Sequence, residues 1–356
     1  MNIIFRVDAS DSIGSGHVMR CLTLAERLHS LGNTIAFLMR ALPGNMIDLV
    51  TKKGFEVLAL PNHNRIPDDE SMIDIAQCTG RFPWFASAPD WIIVDHYQLD
   101  HRWHADIRPF THKLMVIDDL ANRPLDCDLL LNQNLIPNLE ALYRLLTPKI
   151  CHCLLGPKYT LLRPEFKLTR LKHHVRTGSI QHIFIFMGAT DPYNLTLEAI
   201  NCIAEFKLVS LRVDVVVGKM VSNKQEIETR CNQLGFNYLT NVKNMANLMS
   251  ESDLSIGSGG ITTWERFCLG LPSIVSIIAD NQREVVSHLT DMNLIFYCDV
   301  QTYKYSLSST LENLMRSPGL LIENSHRVSQ IIDGDGTHRV IAAMEALSIH
   351  GEKNEF

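Results

Sequence analysis

Three stretches of the chain hold residue types that chemistry could use, each where a strand should give way to a helix. In the first, RVDASDSIGSGHVMRCLTLAERL (6–28), a run of small residues closes on Gly14, Ser15, Gly16 and His17. Glycines permit tight turns and close backbone approach, and the unpaired N–H groups of a helix start attract anions. The positive end of a helix disfavours imidazolium, so a histidine placed there stays neutral near pH 7 and can take a proton from water. A histidine that merely closes the turn by hydrogen bonding satisfies the same pattern. The run is not a dinucleotide fingerprint, because His17 and Arg20 stand where small residues are expected.

The second stretch is SDLSIGSGGITTWERFCLGLPSIVSIIADNQ (252–282). A short strand runs into Gly257, Ser258, Gly259 and Gly260, and a helix should begin at Ile261 to Thr263. Such a turn offers a backbone cradle for a diphosphate, helped by the hydroxyls of Ser258 and Thr262. Glu265, one turn into that helix, is placed to reach a ribose, and Asn281 and Gln282 close the next strand. The bland alternative is a tight turn with a surface glutamate. The third stretch, FMGATDPYNLT (186–196), pairs Asp191 with Pro192 as a helix cap and first turn. Taken alone it is a helix start. In open α/β sheets, however, ligands sit beyond the carboxyl ends of strands.

Further polar residues fall at strand ends, with Asp95, His96 and Tyr97, and then Asp118, Asp119 and Asn132, as candidates to line a pocket. No spacing among them favours a metal site, and no G-x-S-x-G, P-loop lysine or H-E-x-x-H pattern occurs.

The elements that must hold these stretches read as short apolar runs alternating with helices. Strands are expected at 3–7, 34–39, 91–95, 114–119 and 128–133, then at 183–188, 212–218, 253–258 and 273–278. Runs that are apolar throughout suit strands covered on both faces, hence a parallel α/β sheet. Val18, Cys21, Leu22, Ala25 and Leu28 form one apolar helix face after the first turn, and Gly32 ends it. The pattern pauses near 150–180, where KLTRLKHHVRTGS (167–179) is basic and reads as a solvated linker or a contribution to an anionic cleft. Two domains are therefore expected, at 1–160 and 180–356, joined by a linker at 161–179.

With 356 residues and a net charge of −6, the chain has the size of two domains and no overall positive field to attract nucleic acid. The opening MNIIFRVD reads as a strand and not as a signal peptide, and the longest apolar runs fall short of a membrane span. Nine cysteines without a C-x-x-C pair fit a reduced, cytoplasmic setting.

The GSGH stretch together with IDDLANRPLDCDLLLNQN, GPKYTLLRPEF and GSGGITTWERFCLGLPSIV…ADNQ resembles the PseG family, UDP-sugar hydrolases of the pseudaminic acid pathway, over roughly residues 1 to 345. That family is similar in turn to the MurG-type glycosyltransferases. The resemblance implies a GT-B architecture of two Rossmann-like domains facing a central cleft, with UDP held by the second domain. It also implies a last helix, sought at 326–347, that packs back on the first. It implies hydrolysis of UDP-2,4-diacetamido-2,4,6-trideoxy-β-L-altropyranose at the anomeric carbon, with inversion and without metal or cofactor. His17 would be the general base, with Gly14 and Gly16 giving it room beside the sugar. Gly257–Gly260 and Thr262 would hold the diphosphate and Glu265 the ribose, while Asp191, Asn281 and Gln282 would face the substrate. A MurG-like transferase using a UDP-sugar donor is the other reading. Where GGSDP is expected the chain has MGATDP, so Met187 and Ala189 depart from the pattern while Asp191 and Pro192 keep it.

Overall fold

The computed structural model describes residues 1–62, 70–172, 176–208 and 210–351. Its strands are β1 (Asn2–Val7), β2 (Thr34–Arg40), β3 (Glu56–Leu60), β4 (Trp91–Asp95), β5 (Lys113–Ile117), β6 (Leu129–Asn132) and β7 (His152–Leu155). They continue with β8 (His182–Phe186), β9 (Arg212–Val216), β10 (Asn237–Leu239), β11 (Leu254–Ser258), β12 (Ser273–Ser276) and β13 (Phe296–Tyr297). The first seven form one sheet in the order β3-β2-β1-β4-β5-β6-β7, and the other six a second in the order β10-β9-β8-β11-β12-β13. Every ladder is parallel. The inner strands are apolar because helices cover both faces: Ile3, Phe5, Val7, Ile93, Met115 and Leu131 are all inaccessible to solvent.

Each sheet starts in its middle. The chain runs outward for three strands, then returns to lay β4 beside β1 and β11 beside β8. The loops after β1 and β4, and after β8 and β11, therefore diverge at a topological switch point, where open α/β sheets place ligands. His17 follows β1, and Asp95 ends β4. MGATDP follows β8, and the glycine loop follows β11.

The strands absent from the sequence reading are β3, β7, β10 and β13, and these are the outermost strands of the two sheets. An edge strand is short and half exposed, so it lacks the continuous apolar run that marks an inner one. β3 carries Glu56 and leaves Ala59 exposed, and β10 has no buried residue.

Two compact units divide the chain: Met1–Leu161 with the chain from Gly336 on, and Leu162–Asp335. The stretch 161–179, expected as a linker, belongs almost wholly to the second unit. It carries a helix, Pro164–Arg170, and two of its arginines are internal ties, while Lys172 is exposed. Arg170 donates to the carbonyls of Cys268 (2.6 Å) and Ser329 (2.7 Å). Buried Arg176 reaches those of Met249, Ser252, Leu269 and Gly270. Residues 173–175 of that run lie outside the described residues. The helix sought at 326–347 is two helices. Pro318–Ser329 lies in the second unit, and Gly336–Gly351 in the first. Val340, Ile341 and Met344 of this last helix join the core formed by β1, β2 and the helix Gly16–Ser30, and Ser348 accepts from the Trp91 indole (2.9 Å).

Candidate functional site

The helix Gly16–Ser30 opens on the residues singled out by the sequence and buries the ring of His17, which is 7% exposed. Its Nδ1 lies 2.5 Å from Asp95 Oδ1. Arg20, one turn further on, clasps the same carboxylate, with Nε on Oδ2 (2.5 Å) and Nη2 on Oδ1 (2.7 Å), and reaches both oxygens of Asp119 through Nη1 (2.9 and 2.7 Å). Burial alone would raise the pKa of Asp95. The Arg20 guanidinium and the His17 ring outweigh it and hold that carboxyl well below the usual carboxylate range.

An ionised Asp95 settles the tautomer of His17. A carboxylate only accepts, so a contact of 2.5 Å requires the proton on Nδ1. Arg20 Nη2, 3.3 Å from Nδ1, then stands beside that atom without bonding to it. Nε2 has no protein partner among the described residues. The Tyr97 ring meets the imidazole edge-on at 4.5 Å, and the Tyr97 hydroxyl donates to Asp119 (3.0 Å).

His96 offers a contrast. Its Nδ1 accepts from the Gln98 amide (3.1 Å) and its Nε2 faces Asp8 Oδ2 (3.2 Å), so both nitrogens are engaged. Burial pushes its pKa down. Asp8 in turn leans on Arg6 (2.9 Å), which is buried in β1 with Glu70 and Asp74 against it. Asp118 is likewise committed, to Arg123 (2.7 Å) and the Tyr143 hydroxyl (2.7 Å), and Asn132 to Tyr143 (2.9 Å). His17 leaves its Nε2 without a protein partner among the described residues, and Asp95, Arg20 and Asp119 fix the ring in place. The sequence reading treated Asp95 only as a pocket-lining candidate. It lies 78 residues from His17, and no local spacing records that pairing.

The two glycines of the turn differ in their reasons. Gly14 has φ = +80°, a region that side chains rarely adopt. Gly16 has no such need, and a Cβ there would meet nothing within 4 Å. Nothing in the protein itself demands a glycine at position 16.

In the second unit, Gly257 and Ser258 belong to β11, and the helix begins at Thr262. Gly257 and Gly259 are small for packing. A Cβ would come within 2.5 Å of the Phe186 carbonyl at the first and 2.2 Å of Val286 at the second. The Gly259 amide is already given to the Ser276 carbonyl (3.1 Å). The expected four-residue cradle therefore narrows to Gly260, Ile261 and Thr262, whose amides donate to no backbone carbonyl among the described residues. Glu265 is 8% exposed, and one of its oxygens accepts from Arg163 (3.1 Å). Burial raises its pKa, with Arg163 opposing. Gln282 braces the loop by accepting from the Ile278 amide (3.0 Å), and Asn281 is exposed.

Asp191 acts as a helix cap. Its two oxygens accept from the Leu195 and Thr196 amides (2.9 Å each) at the start of the helix Leu195–Glu205, and it is 3% exposed. Both oxygens of its carboxylate are thus engaged at the start of that helix. Among the described residues, no group of three His, Cys, Asp or Glu side chains could hold a metal ion, and no helix is long and apolar enough to cross a membrane.

Comparison with known proteins gives the same architecture. The crystal structure of MurG from Acinetobacter baumannii matches with a TM-score of 0.64 at 15% identity, covering 97% of this chain and 99% of that one. The fold is GT-B. Residues 182–339 match the glycosyltransferase family 28 C-terminal domain, a span that contains the MGATDP loop, the glycine loop and Glu265. An uncharacterized protein of Methanocaldococcus jannaschii is 25% identical over 94% of this chain and 71% of its own length. The UDP-2,4-diacetamido-2,4,6-trideoxy-beta-L-altropyranose hydrolase of Campylobacter jejuni is 27% identical over 59% of this chain and 69% of its own. Each unit has unengaged polar atoms at its own switch point: His17 Nε2 in the first and the amides after Gly259 in the second.

Proposed function

We propose that this chain is an inverting hydrolase of a UDP-linked sugar, with UDP-2,4-diacetamido-2,4,6-trideoxy-β-L-altropyranose as substrate, yielding UDP and 2,4-diacetamido-2,4,6-trideoxy-L-altrose. The observation that carries the reading is the His17–Asp95 pair, which fixes a largely buried imidazole at a switch point and leaves its Nε2 without a protein partner among the described residues. The likeness to the Campylobacter jejuni hydrolase supports the choice of sugar nucleotide.

In this reading the second unit takes the nucleotide, with the amides of Gly260, Ile261 and Thr262 on the diphosphate and Glu265 on the ribose. The first unit supplies the attack. His17 Nε2 takes a proton from water as the water oxygen bonds to the anomeric carbon, while the bond from that carbon to the diphosphate oxygen breaks on the opposite face. The electron pair leaves with UDP, and amide donors are suited to the charge that develops there. Asp95 holds the imidazole in the Nδ1–H tautomer and stabilises the imidazolium until the proton passes to solvent.

A second reading, transfer of the sugar to an acceptor, is favoured by the match of residues 182–339 to a glycosyltransferase domain. Incubating the purified chain with the UDP-sugar and no acceptor separates the two. Stoichiometric release of UDP and free sugar with inverted configuration is expected. Release that depends on an added acceptor would refute hydrolysis.

A further inference from the structure

The loop after β11 is backed by a buried charge that forms no ion pair among the described residues. Arg266 sits in the first turns of the helix Thr262–Cys268 and is 1% exposed. Its Nη2 donates to the Ser258 carbonyl (2.7 Å) and to Thr263 Oγ1 (2.8 Å). Nε is buried without a partner. No carboxylate pairs with Arg266 among the described residues, because the adjacent Glu265 turns to Arg163.

The other deeply buried arginines are compensated. Arg6 has Asp8, Glu70 and Asp74, Arg20 has Asp95 and Asp119, and Arg40 has Glu70. Arg176 lacks a carboxylate but gives its donors to four backbone carbonyls. Arg266 keeps its buried Nε without an acceptor, and burial, opposed by the charge of Glu265, pushes its pKa down to about 10, which still leaves it charged at neutral pH. An unpaired buried charge is costly to a fold, so its placement calls for a reason.

Its position supplies one. A Cβ on Gly257 would stand 2.7 Å from Arg266 Nη1 and 2.5 Å from the Phe186 carbonyl. The guanidinium therefore lies at the seam of β8 and β11, under the switch point and directly behind the loop whose amides are unengaged.

We propose that Arg266 is the counter-charge for a diphosphate bound at this loop, acting from behind it as a positioning residue. The proposal rests on the reading that the second unit takes UDP. Its anchor on the Ser258 carbonyl sets the loop's course, and its charge, held in no ion pair, favours a ligand bearing two phosphates over a neutral nucleoside.

The test compares UDP with uridine by calorimetric titration of the full chain. The wild type prefers UDP. Arg266→Met, which conserves volume, lowers that preference roughly tenfold to a hundredfold, the worth of one charge-assisted interaction, while uridine affinity stays the same. Arg266→Lys keeps the charge and retains most of the preference. An unchanged preference in Arg266→Met, or equal losses for UDP and uridine, overturns the proposal. If Arg266→Met does not fold, Arg266→Lys decides: a folded lysine variant that loses the preference overturns it, and one that retains it supports it. A wild type that binds uridine as well as UDP overturns the nucleotide reading itself.

Discussion

Replacing Asp95 by asparagine removes one charge and almost no volume, and the surroundings of the carboxylate dictate the outcome. Oδ1 receives both His17 Nδ1 and Arg20 Nη2, and Oδ2 receives Arg20 Nε. An amide has one accepting atom. If its oxygen keeps Arg20 Nε, its NH2 group faces His17 and drives the ring to the tautomer with the proton on Nε2, which can no longer accept. If its oxygen stays with His17, the tautomer survives but the NH2 group opposes Arg20 Nε. Either way the imidazolium formed during turnover loses an anion at 2.5 Å. Breaking a buried pair of this kind is worth about 3–5 kcal/mol, so kcat should fall roughly a hundredfold to several thousandfold. Folding should suffer less, by about 1–3 kcal/mol, since Arg20 keeps its two contacts to Asp119. Initial rates of UDP release, with UDP affinity and the thermal midpoint measured on the same sample, give all three quantities. Because the pair acts as one unit, adding Asp95→Asn to His17→Leu should cost nothing more. A folded Asp95→Asn enzyme with kcat within about tenfold of wild type, well short of that loss, would refute the role assigned to the pair.

Other expectations rest on single contacts. Gly16→Ala should leave the thermal midpoint unchanged or slightly raised, since its Cβ meets nothing within 4 Å, yet cut turnover at least about tenfold if the sugar needs that backbone; unaltered turnover would dismiss a close approach there. Asp191→Ala should cost about 1–2 kcal/mol in urea unfolding through the lost helix cap, with UDP affinity in the folded protein little changed. A large loss of affinity at intact stability would return Asp191 to the ligand. His104 is fully buried, and burial, followed by the nearby Arg123 charge, pushes its pKa down to about 3. Between that value and the unfolded one near 6.5 the unfolded chain binds the extra proton, so stability falls as pH drops through this window, by up to roughly 5 kcal/mol. His104→Gln should lack this component, and urea midpoints at pH 7, 5 and 4 that fall in parallel for both proteins would contradict it.

What the sequence made legible and what it hid divide along physical lines. The nine inner strands announce themselves because burial on both faces demands unbroken apolar runs, while the four edges carry no such demand. Motif positions were readable too, since glycine turns at strand ends are local features. Partnerships were not. Asp95 finds His17 across 78 residues, and Arg266 lacks a carboxylate partner only by comparison with everything folded around it. The partner of one motif residue was hidden for the same reason: Gly259 gives its amide to the Ser276 carbonyl of β12. Arg170 and Arg176 looked solvated because the run around them is polar, yet the carbonyls they tie are 73 to 159 residues away.

The division of the chain into units also governs the order in which it can be made. Leu162–Asp335 is one uninterrupted segment and leaves the ribosome whole, while the unit begun first still lacks its last helix. Until Val340, Ile341 and Met344 arrive, the apolar surface around β1 and the helix Gly16–Ser30 has no cover from them, and Trp91 has no Ser348. The half begun first is thus the half finished last. A premature stop before residue 336 would spare the second unit's sequence and strip the first of part of its core, so protease resistance of truncated chains should survive in the later half alone.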